Sequence, residues 1–348
     1  MPGWTRASTP RIDSLPPTMS STPTAIRVAG AAARAPDAPA VPAEAAPAWP
    51  NVHAPDAARA RTDEVAQPTN ARRALRALLR NPTAMAGLVI LALMALPALA
   101  APWLYPEDPL SMVDAPFIRP FTQPGYLLGT DSMGRDVAAG IAHGARVSLL
   151  VGISATLVGL GLGIAVGAPA GYFGGWVDEA LQRLVILFQA IPNFILLIVI
   201  VAIAQPSLPV ITLAIGLVTW PTVARLVRTE FRALRHKEFV LAARSLGYGH
   251  LRIILREILP NALPPLIVSA SVMVATAILM ESGLAFMGMG DPNVVSWGSM
   301  IGAGREQLRT AAYLTMAPGL AIVFTVLALN LLGDGLNDAL NPRLSRER

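Results

Sequence analysis

Six apolar runs dominate the sequence after residue 82, and each is close to the roughly 20 residues that an α-helix needs to cross the hydrocarbon core of a bilayer. Only 14% of the residues are charged, whereas ordinary soluble domains contain about 25%. We therefore predict an all-α membrane protein and exclude a typical soluble enzyme. The predicted transmembrane helices lie at about 83–104, 147–169, 184–204, 208–224, 263–287 and 313–332.

Two segments of different character precede the first apolar run. Residues 1–70 contain 18 Ala and 12 Pro and lack a sustained apolar period, so the prediction is a disordered cytoplasmic tail. Residues 71–82 place four arginines on one helical face and three leucines on the other, which is typical of an amphipathic helix lying in the membrane interface. A merely basic flank is the alternative. The membrane domain itself is expected to extend over residues 83–345.

The basic residues are sorted along the membrane domain. With the N-terminus inside, the inner segments of residues 71–348 hold 16 Lys and Arg, and the outer segments hold only five. This bias follows the positive-inside rule and predicts that both termini are cytoplasmic. The net charge of +5 is therefore interpreted as an orientation signal, and no nucleic-acid partner is predicted.

Small and polar residues inside the apolar runs indicate how the helices pack. A glycine recurs every fourth residue of the second run, which lets another helix approach closely along one face. We expect the single carboxylate of the fifth run, Glu281, to lie near the outer end of its helix and to pair with a loop arginine; a midplane ion site is the alternative. The glycines assigned to helix packing are Gly159, Gly163, Gly167 and Gly171.

The sequence carries no motif for catalysis. It contains no phosphate-binding loop G-x-x-x-x-G-K-[ST], no H-E-x-x-H and no G-x-S-x-G, and its four histidines lie outside the apolar runs. It also contains no cysteine, which excludes a thiolate metal site. We predict that the chain is not an enzyme and binds no metal.

The longest inner loop, residues 225–260, contains eight Lys or Arg and a short helix that ends at Gly247. This loop resembles the coupling motif of ABC importer permeases, which reads E-A-A-x-x-x-G followed by I-x-L-P. The matching residues are Leu241-Ala242-Ala243-Arg244-Ser245-Leu246-Gly247 and, after them, Ile258-Leu259-Pro260. Leu241 occupies the position of the motif's glutamate. The resemblance assigns ATPase coupling to Phe239, Ala242, Ala243, Gly247 and Pro260.

A second resemblance lies ahead of the second run. The segment 128–137 reads Leu-Gly-Thr-Asp-Ser-Met-Gly-Arg-Asp-Val and resembles the L-G-T-D-x-x-G-R-D-V signature of the dipeptide, oligopeptide and nickel branch, in its C-type subunit. Two interpretations stay open: a surface that meets a substrate-binding protein, or a self-bracing turn in which Asp131 or Asp136 pairs with Arg135. The residues assigned to this extracytoplasmic loop are Gly129, Thr130, Asp131, Gly134, Arg135 and Asp136.

The resemblance covers residues 72–345 and implies a six-helix permease of the type I ABC importer fold in the bacterial inner membrane. It implies a homologous second permease, two ATP-binding subunits that hold ATP and Mg, an extracytoplasmic binding protein, surrounding lipid, and no cofactor in this chain. Peptides are the expected cargo, with nickel or another small solute as the alternative. A stand-alone secondary transporter is the alternative of a different class, but no inverted repeat or midplane ion ligands are visible.

Overall fold

A computed structural model describes residues 70–340, and that part of the chain is helical with a single isolated β-bridge between Thr130 and Asp136. The tail predicted to be disordered lies outside the described residues. The helices are, in chain order, α1 Asn70–Arg80, α2 Pro82–Leu104, α3 Val137–Phe173, α4 Gly175–Gln189, α5 Asn193–Ala204, α6 Leu208–Leu234, α7 Glu238–Ser245, α8 His250–Phe286, α9 Trp297–Gly304 and α10 Tyr313–Leu340.

Five of these helices, α2, α3, α6, α8 and α10, are long and apolar enough to cross a membrane. The pair α4 and α5 is apolar enough to form a sixth span only when both halves are taken together, and the two halves are bent by 78°. The break falls at residues 190–192, where Pro192 precedes α5 and restricts the residue before it to extended conformations. The predicted span 184–204 is therefore divided between two helices that meet at a sharp bend, and we call the pair α4 and α5 the broken span.

Four spans, α3, α6, α8 and α10, are longer than the apolar runs alone predict, and α3 and α8 are extended at their N-terminal ends. Helix α3 begins ten residues before the predicted residue 147, because the Asp136 side chain accepts a hydrogen bond from the N–H of Ala138 and caps the helix there. It ends at Gly174, whose φ of +69° leaves the helical region. Helix α8 extends the predicted fifth span backwards through a π-helical turn at Ile253–Ile258.

The glycine face of α3 packs along α6. A Cβ atom built on Gly159 would lie 2.8 Å from Thr219 Oγ1, and one built on Gly171 would lie 2.6 Å from both the Arg228 carbonyl oxygen and Phe231 Cβ. These contacts place the two backbones in direct apposition, as small residues permit in lipid. Gly163 and Gly167 lie between them on the same face, against Val223 and Ala224.

The buried side chains form separate clusters towards the two ends of the bundle. One cluster joins α3, α6, α7 and the start of α8 around Phe231 and Ile258, both fully buried. Another joins α3, α5, the first half of α6 and α8 around Leu197 and Ile215. The first cluster packs beneath the basic loop 225–260, and we call that end of the bundle the basic end. The loop that contains Gly129 lies at the other end, which we call the loop end.

Candidate functional site

The segment predicted to couple the chain to an ATPase forms a short helix with a well-defined end. Helix α7, Glu238–Ser245, lies between the N-cap residue Lys237 and the C-cap residue Leu246. The N–H of Gly247 donates to the Arg244 carbonyl at 2.9 Å, and the N–H of Tyr248 donates to the Ala243 carbonyl at 3.1 Å. This pair of bonds is a Schellman motif, which requires the left-handed φ of +76° found at Gly247.

The two neighbouring alanines of the coupling motif face opposite ways. Ala243 is 5% exposed and packs with Val240 against Phe231, whereas Ala242 is exposed. Helical spacing explains the difference, because positions 240 and 243 share one face. The Ala243 side chain therefore faces its own bundle, where its small size lets α7 lie close, and the coupling role assigned to this residue stays a prediction.

The outer surface of this segment exposes three large apolar side chains beside the charged Glu238 and Arg244. Leu241, which replaces the motif's glutamate, is 49% exposed, Leu246 is 71% exposed, and Phe239 is 37% exposed. Pro260 is also exposed, at the point where the helical chain turns into the fifth span. Gly247 has open space around its Cα, so its contribution is backbone conformation.

Polar and aromatic contacts support α7 on the side that faces the bundle. The Tyr172 hydroxyl at the end of α3 lies 2.9 Å from His250 Nδ1 at the start of α8. The Arg244 guanidinium lies 5.3 Å from the centroid of the Tyr172 ring, within cation–π distance. Arg235 donates from Nη1 to the carbonyls of Gly171 and Tyr172 at 3.3 Å. The coupling helix is thus tied to the last turn of α3 as well as to α6.

The extracytoplasmic loop predicted from the second motif is braced by its glycines. Gly129 and Gly134 both have φ of +76°. A Cβ atom on Gly129 would collide with the Ile118 carbonyl oxygen, and one on Gly134 would collide with that of Asp114. Both positions therefore require glycine, because they combine a left-handed conformation with close backbone contact.

Thr130 is the buried centre of the loop. It is fully buried, its hydroxyl donates to the Ala115 carbonyl at 2.7 Å, and the same oxygen accepts from the Ile118 N–H at 2.9 Å. The Tyr313 hydroxyl at the start of the last span contacts the carbonyl oxygens of Thr130 at 2.7 Å and Ile118 at 3.2 Å. These bonds hold the loop against α10.

A self-braced turn is present, but it forms through backbone groups, without the pairing of Asp131 or Asp136 with Arg135 that this interpretation supposed. Asp131 accepts hydrogen bonds from the N–H groups of Met133 at 2.8 Å and Arg135 at 2.9 Å. No ion pair within residues 70–340 involves the Arg135 guanidinium, whose Nε is buried without a hydrogen-bond partner. The Asp131 carboxylate accepts from two N–H groups of its own turn, so these bonds brace the turn without the Arg135 side chain.

Two aspartates at the loop end cap helices. Burial raises the pKa of Asp136, although the N–H groups of Ala138 and Ala139 partly offset it. Burial also acts to raise the pKa of Asp291, but hydrogen bonds from the N–H groups of Asn293 and Leu208 outweigh it, so the pKa is lowered. Asp291 thereby fixes the start of α6 at 2.9 Å from the Leu208 nitrogen.

An open cavity of about 170 Å³ lies between the braced loop and the segment that follows α8. Both Asp131 and Asp136 line it, together with Arg135 and Asp291. Its charge is mainly acidic. Within residues 70–340, no group of three or more His, Asp or Glu side chains could hold a metal ion.

The expected pairing of Glu281 with a loop arginine is also wrong. Glu281 is 3% exposed and lies 3.5 Å from the hydroxyls of Ser148 and Ser282, with Ser296 also in hydrogen-bond contact. The serines come from α3, α8 and the N-cap of α9, and their hydroxyls contact the carboxyl group where a cation was expected. The sequence could not show this, because Ser148 lies 133 residues from Glu281.

Sequence reasoning also missed the strongest ion pair of the described chain. Arg228 of α6 forms two hydrogen bonds with Asp178 of α4, from Nε at 2.5 Å and from Nη2 at 2.7 Å. Both residues were visible only as ordinary basic and acidic flanks of apolar runs. The one available signal is that Asp178 falls next to Gly174-Gly175, an expected chain turn.

Within residues 70–340, five helices long and apolar enough to cross a membrane, together with the bent pair α4 and α5, define a multi-pass membrane protein. Residues 159–346 match the family described as the binding-protein-dependent transport system inner membrane component. Residues 69–124 match the N-terminal transmembrane domain of oligopeptide transport permease C. The chain belongs to this family of inner membrane permeases, in its C-type branch.

Curated relatives cover most of the chain. The dipeptide transport system permease protein DppC of Haemophilus influenzae is 38% identical over 273 residues, which are 77% of this chain and 92% of that protein. The glutathione transport system permease protein GsiD of Pectobacterium atrosepticum is 36% identical over 77% of this chain and 90% of that protein. A solved chain of the MetNI methionine ABC transporter aligns with a TM-score of 0.49 at 20% identity, over 58% of this chain and 96% of that one.

Proposed function

We propose that this chain imports di- or oligopeptides as one permease of a heterodimer, driven by ATP that separate subunits bind and hydrolyse. The observation that carries the coupling part is the exposed apolar surface of α7, formed by Leu241, Ala242 and Leu246 on a helix fixed firmly to its own bundle. A rigidly supported helix with an apolar outer face fits a groove on another protein.

The proposed mechanism is a rocking motion between inward and outward access. Closure of the ATPase dimer would move α7, and α7 would carry the ends of α3, α6 and α8 with it because all of them share the buried cluster around Phe231. ATP binding thus biases an equilibrium between two arrangements of packed helices. No cofactor is assigned to this chain; ATP and Mg belong to the partner subunits.

The proposed orientation places the basic end and both termini in the cytoplasm, in accordance with the positive-inside rule. Helix α1 would then lie in the inner interface, where Leu75 and Leu79 are 56% and 50% exposed and available to lipid. The loop from Gly129 to Asp136 would face outwards, next to the acidic cavity. That loop is the proposed contact surface for the binding protein.

The assignment of peptides as the cargo is supported by the names of similar proteins. The Haemophilus influenzae protein is named a dipeptide permease, and a Pseudomonas aeruginosa protein of 38% identity is named a di/tripeptide permease. Selection among solutes would lie mainly in the binding protein, since this chain supplies half of a shared pathway. Nickel import by the same machinery is the alternative that a direct assay must distinguish.

A reconstituted complex tests the proposal. The chain, its second permease, the ATPase subunits and the binding protein are assembled in liposomes, and uptake of a radiolabelled dipeptide is compared with uptake of ⁶³Ni²⁺, with and without ATP. We expect ATP-dependent dipeptide uptake that stops when the ATPase subunits are omitted. Uptake that persists without them would support the secondary transporter, and uptake of nickel alone would overturn the peptide assignment.

A further inference from the structure

Helix α4, the first half of the broken span, is held to the bundle at very few points. Of its 15 residues only Val185 is buried, in a small cluster with Trp220 and Ala224 of α6. Phe188 adds an edge-to-face contact with Trp220 at 5.2 Å between ring centroids. The other anchor is at the opposite end of α4, where Asp178 meets Arg228. Both anchors therefore involve α6, and Val166 of α3 also packs against the first of them.

The Asp178 anchor is stronger than a surface ion pair. Its side chain is 14% exposed and that of Arg228 is 24% exposed, so solvent screens the pair only weakly. The two parallel bonds, from Nε and Nη2, fix the angle between the two side chains as well as their distance. Arg232, one turn further along α6, lies 3.9 Å from the same carboxylate.

Two glycines with left-handed backbone conformations stand at the start of α4, and a sharp bend follows it. Gly174 and Gly175, at the start of the helix, have φ of +69° and +53°. Residues 190–192, which follow it, make the 78° bend into α5. Helix α5 packs on the first half of the same helix α6, through Leu197 and Val201, whereas α4 contacts the later part of α6. The two halves of the broken span therefore share no buried cluster and are held by different parts of α6.

The same α6 leads directly to the coupling helix. It ends at Leu234, and α7 begins at Glu238 after three connecting residues. Arg228 lies at the level of Phe231, whose fully buried ring packs in one cluster with Val240 of α7. A displacement of α7 is thus transmitted to the segment of α6 that holds Asp178.

We infer that the Asp178–Arg228 pair is a positioning pair that makes α4 follow the coupling helix, so that the inner half of the broken span moves against α5 in each ATP cycle. The inference rests on the proposed function, because it needs an ATPase that moves α7. It assigns the flexible joint to residues 190–192 and the rigid connection to the ion pair. Loss of the pair should leave α4 attached only through Val185 and Phe188.

Spin-label distances in the full reconstituted complex test this inference. The chain has no cysteine, so Leu187→Cys on α4, Ser245→Cys on α7 and Ile203→Cys on α5 introduce the only labelling sites on it. We expect the distance from α4 to α7 to be unchanged between nucleotide-free and ATP-bound complexes, and the distance from α4 to α5 to change. A constant distance from α4 to α5 would overturn the inference.

Charge reversal then tests the pair itself. In Asp178→Arg or Arg228→Asp, the distance from α4 to α7 should vary with nucleotide, and dipeptide transported per ATP hydrolysed should fall about tenfold, which is within the range of known coupling effects. The double reversal should restore most of the constant distance from α4 to α7 and most of the transport per ATP. Restoration should be incomplete, because Arg232 would then repel the new arginine at position 178. Unchanged distances in both single variants, or no restoration in the double variant, would reject the pair as the connection.

A matched control lies on the same helix. Glu179 and Arg183 form an exposed pair one turn apart, with side chains 73% and 83% exposed. Reversing both charges there should change neither distance nor transport. If a charge reversal at position 178 or 228 prevents assembly, Asp178→Asn and Arg228→Gln are measured in its place. Each of them neutralises one charge of the pair with little change in side-chain volume. Absence of ATP-dependent uptake in the unmutated complex would instead count against the proposed function.

Discussion

Gly171 of α3 lies directly against Phe231 of α6, so that a methyl group on Gly171 would stand 2.6 Å from Phe231 Cβ. The Arg228 carbonyl oxygen would be equally close, and a backbone atom cannot move aside as a flexible side chain can. The contact therefore sets the distance between the two helices at the basic end of the bundle. It also keeps Arg228 within reach of Asp178.

Gly171→Ala should destabilise the protein by about 1–3 kcal/mol, since overpacking in a close-packed interior forces the helices apart. Gly161→Ala is the matched control, because it lies on the same helix and has no atom within 4 Å of the added methyl group. The thermal unfolding midpoint in detergent should fall for position 171 and stay the same or rise for position 161. Equal midpoints would show that α3 and α6 can separate freely.

Much of the fold could be predicted because hydropathy and helical periodicity are local properties. The six apolar runs and the glycine face of α3 follow from residue spacing alone, and so does the end of α7 at Gly247. The 78° break between α4 and α5 could not be predicted, because a proline in a membrane helix is compatible with both a kink and a continuous span. Pro221, which stays inside α6, shows the other outcome.

The side-chain partners were less predictable because they depend on tertiary distance. Glu281 meets serines instead of an arginine, and Tyr313 bonds a carbonyl 183 residues away. The difference between the exposed Ala242 and the buried Ala243 became visible only once the buried face of α7 was known. The charge of a residue indicates which end of the bundle it occupies. It does not indicate which group forms an ion pair or hydrogen bond with its side chain.

Gly247→Val should weaken the Schellman end of α7, because a β-branched residue at φ of +76° costs at least the roughly 1–2 kcal/mol of an ordinary left-handed residue. Gly249→Val is the control, since Gly249 has an extended backbone with φ of −67°. Retention of the ATPase subunits during affinity purification should fall for position 247 and remain normal for position 249. Similar retention of the ATPase subunits by both variants would show that the backbone conformation of Gly247 does not contribute to docking.

The neighbouring alanines of α7 should respond differently to the same large side chain. Ala242→Trp adds bulk to the exposed surface, so the purified chain should keep its unfolding midpoint and lose its ATPase subunits. Ala243→Trp adds bulk inside the cluster around Phe231, so the midpoint itself should fall. The two measurements are size-exclusion of the complex and thermal unfolding of the isolated chain. Loss of the ATPase in neither variant would contradict α7 as the docking helix.

Tyr313→Phe tests the contact that holds the braced loop to the last span. It removes the hydroxyl that contacts the carbonyls of Thr130 at 2.7 Å and Ile118 at 3.2 Å, and Thr130 is fully buried. A buried acceptor left without its partner costs about 1–3 kcal/mol. We expect faster hydrogen exchange of the amides at 117–135, with little change in the spans.

Tyr126→Phe is the control for this prediction, because the Tyr126 hydroxyl makes only a 3.3 Å bond to the Val113 carbonyl. It should accelerate exchange in the loop much less than the substitution at position 313. The loop is also the proposed contact surface for the binding protein, so Tyr313→Phe should weaken binding-protein association while sparing the ATPase. Equal exchange in the two variants would mean that Gly129, Gly134 and Asp131 brace the loop without help from α10.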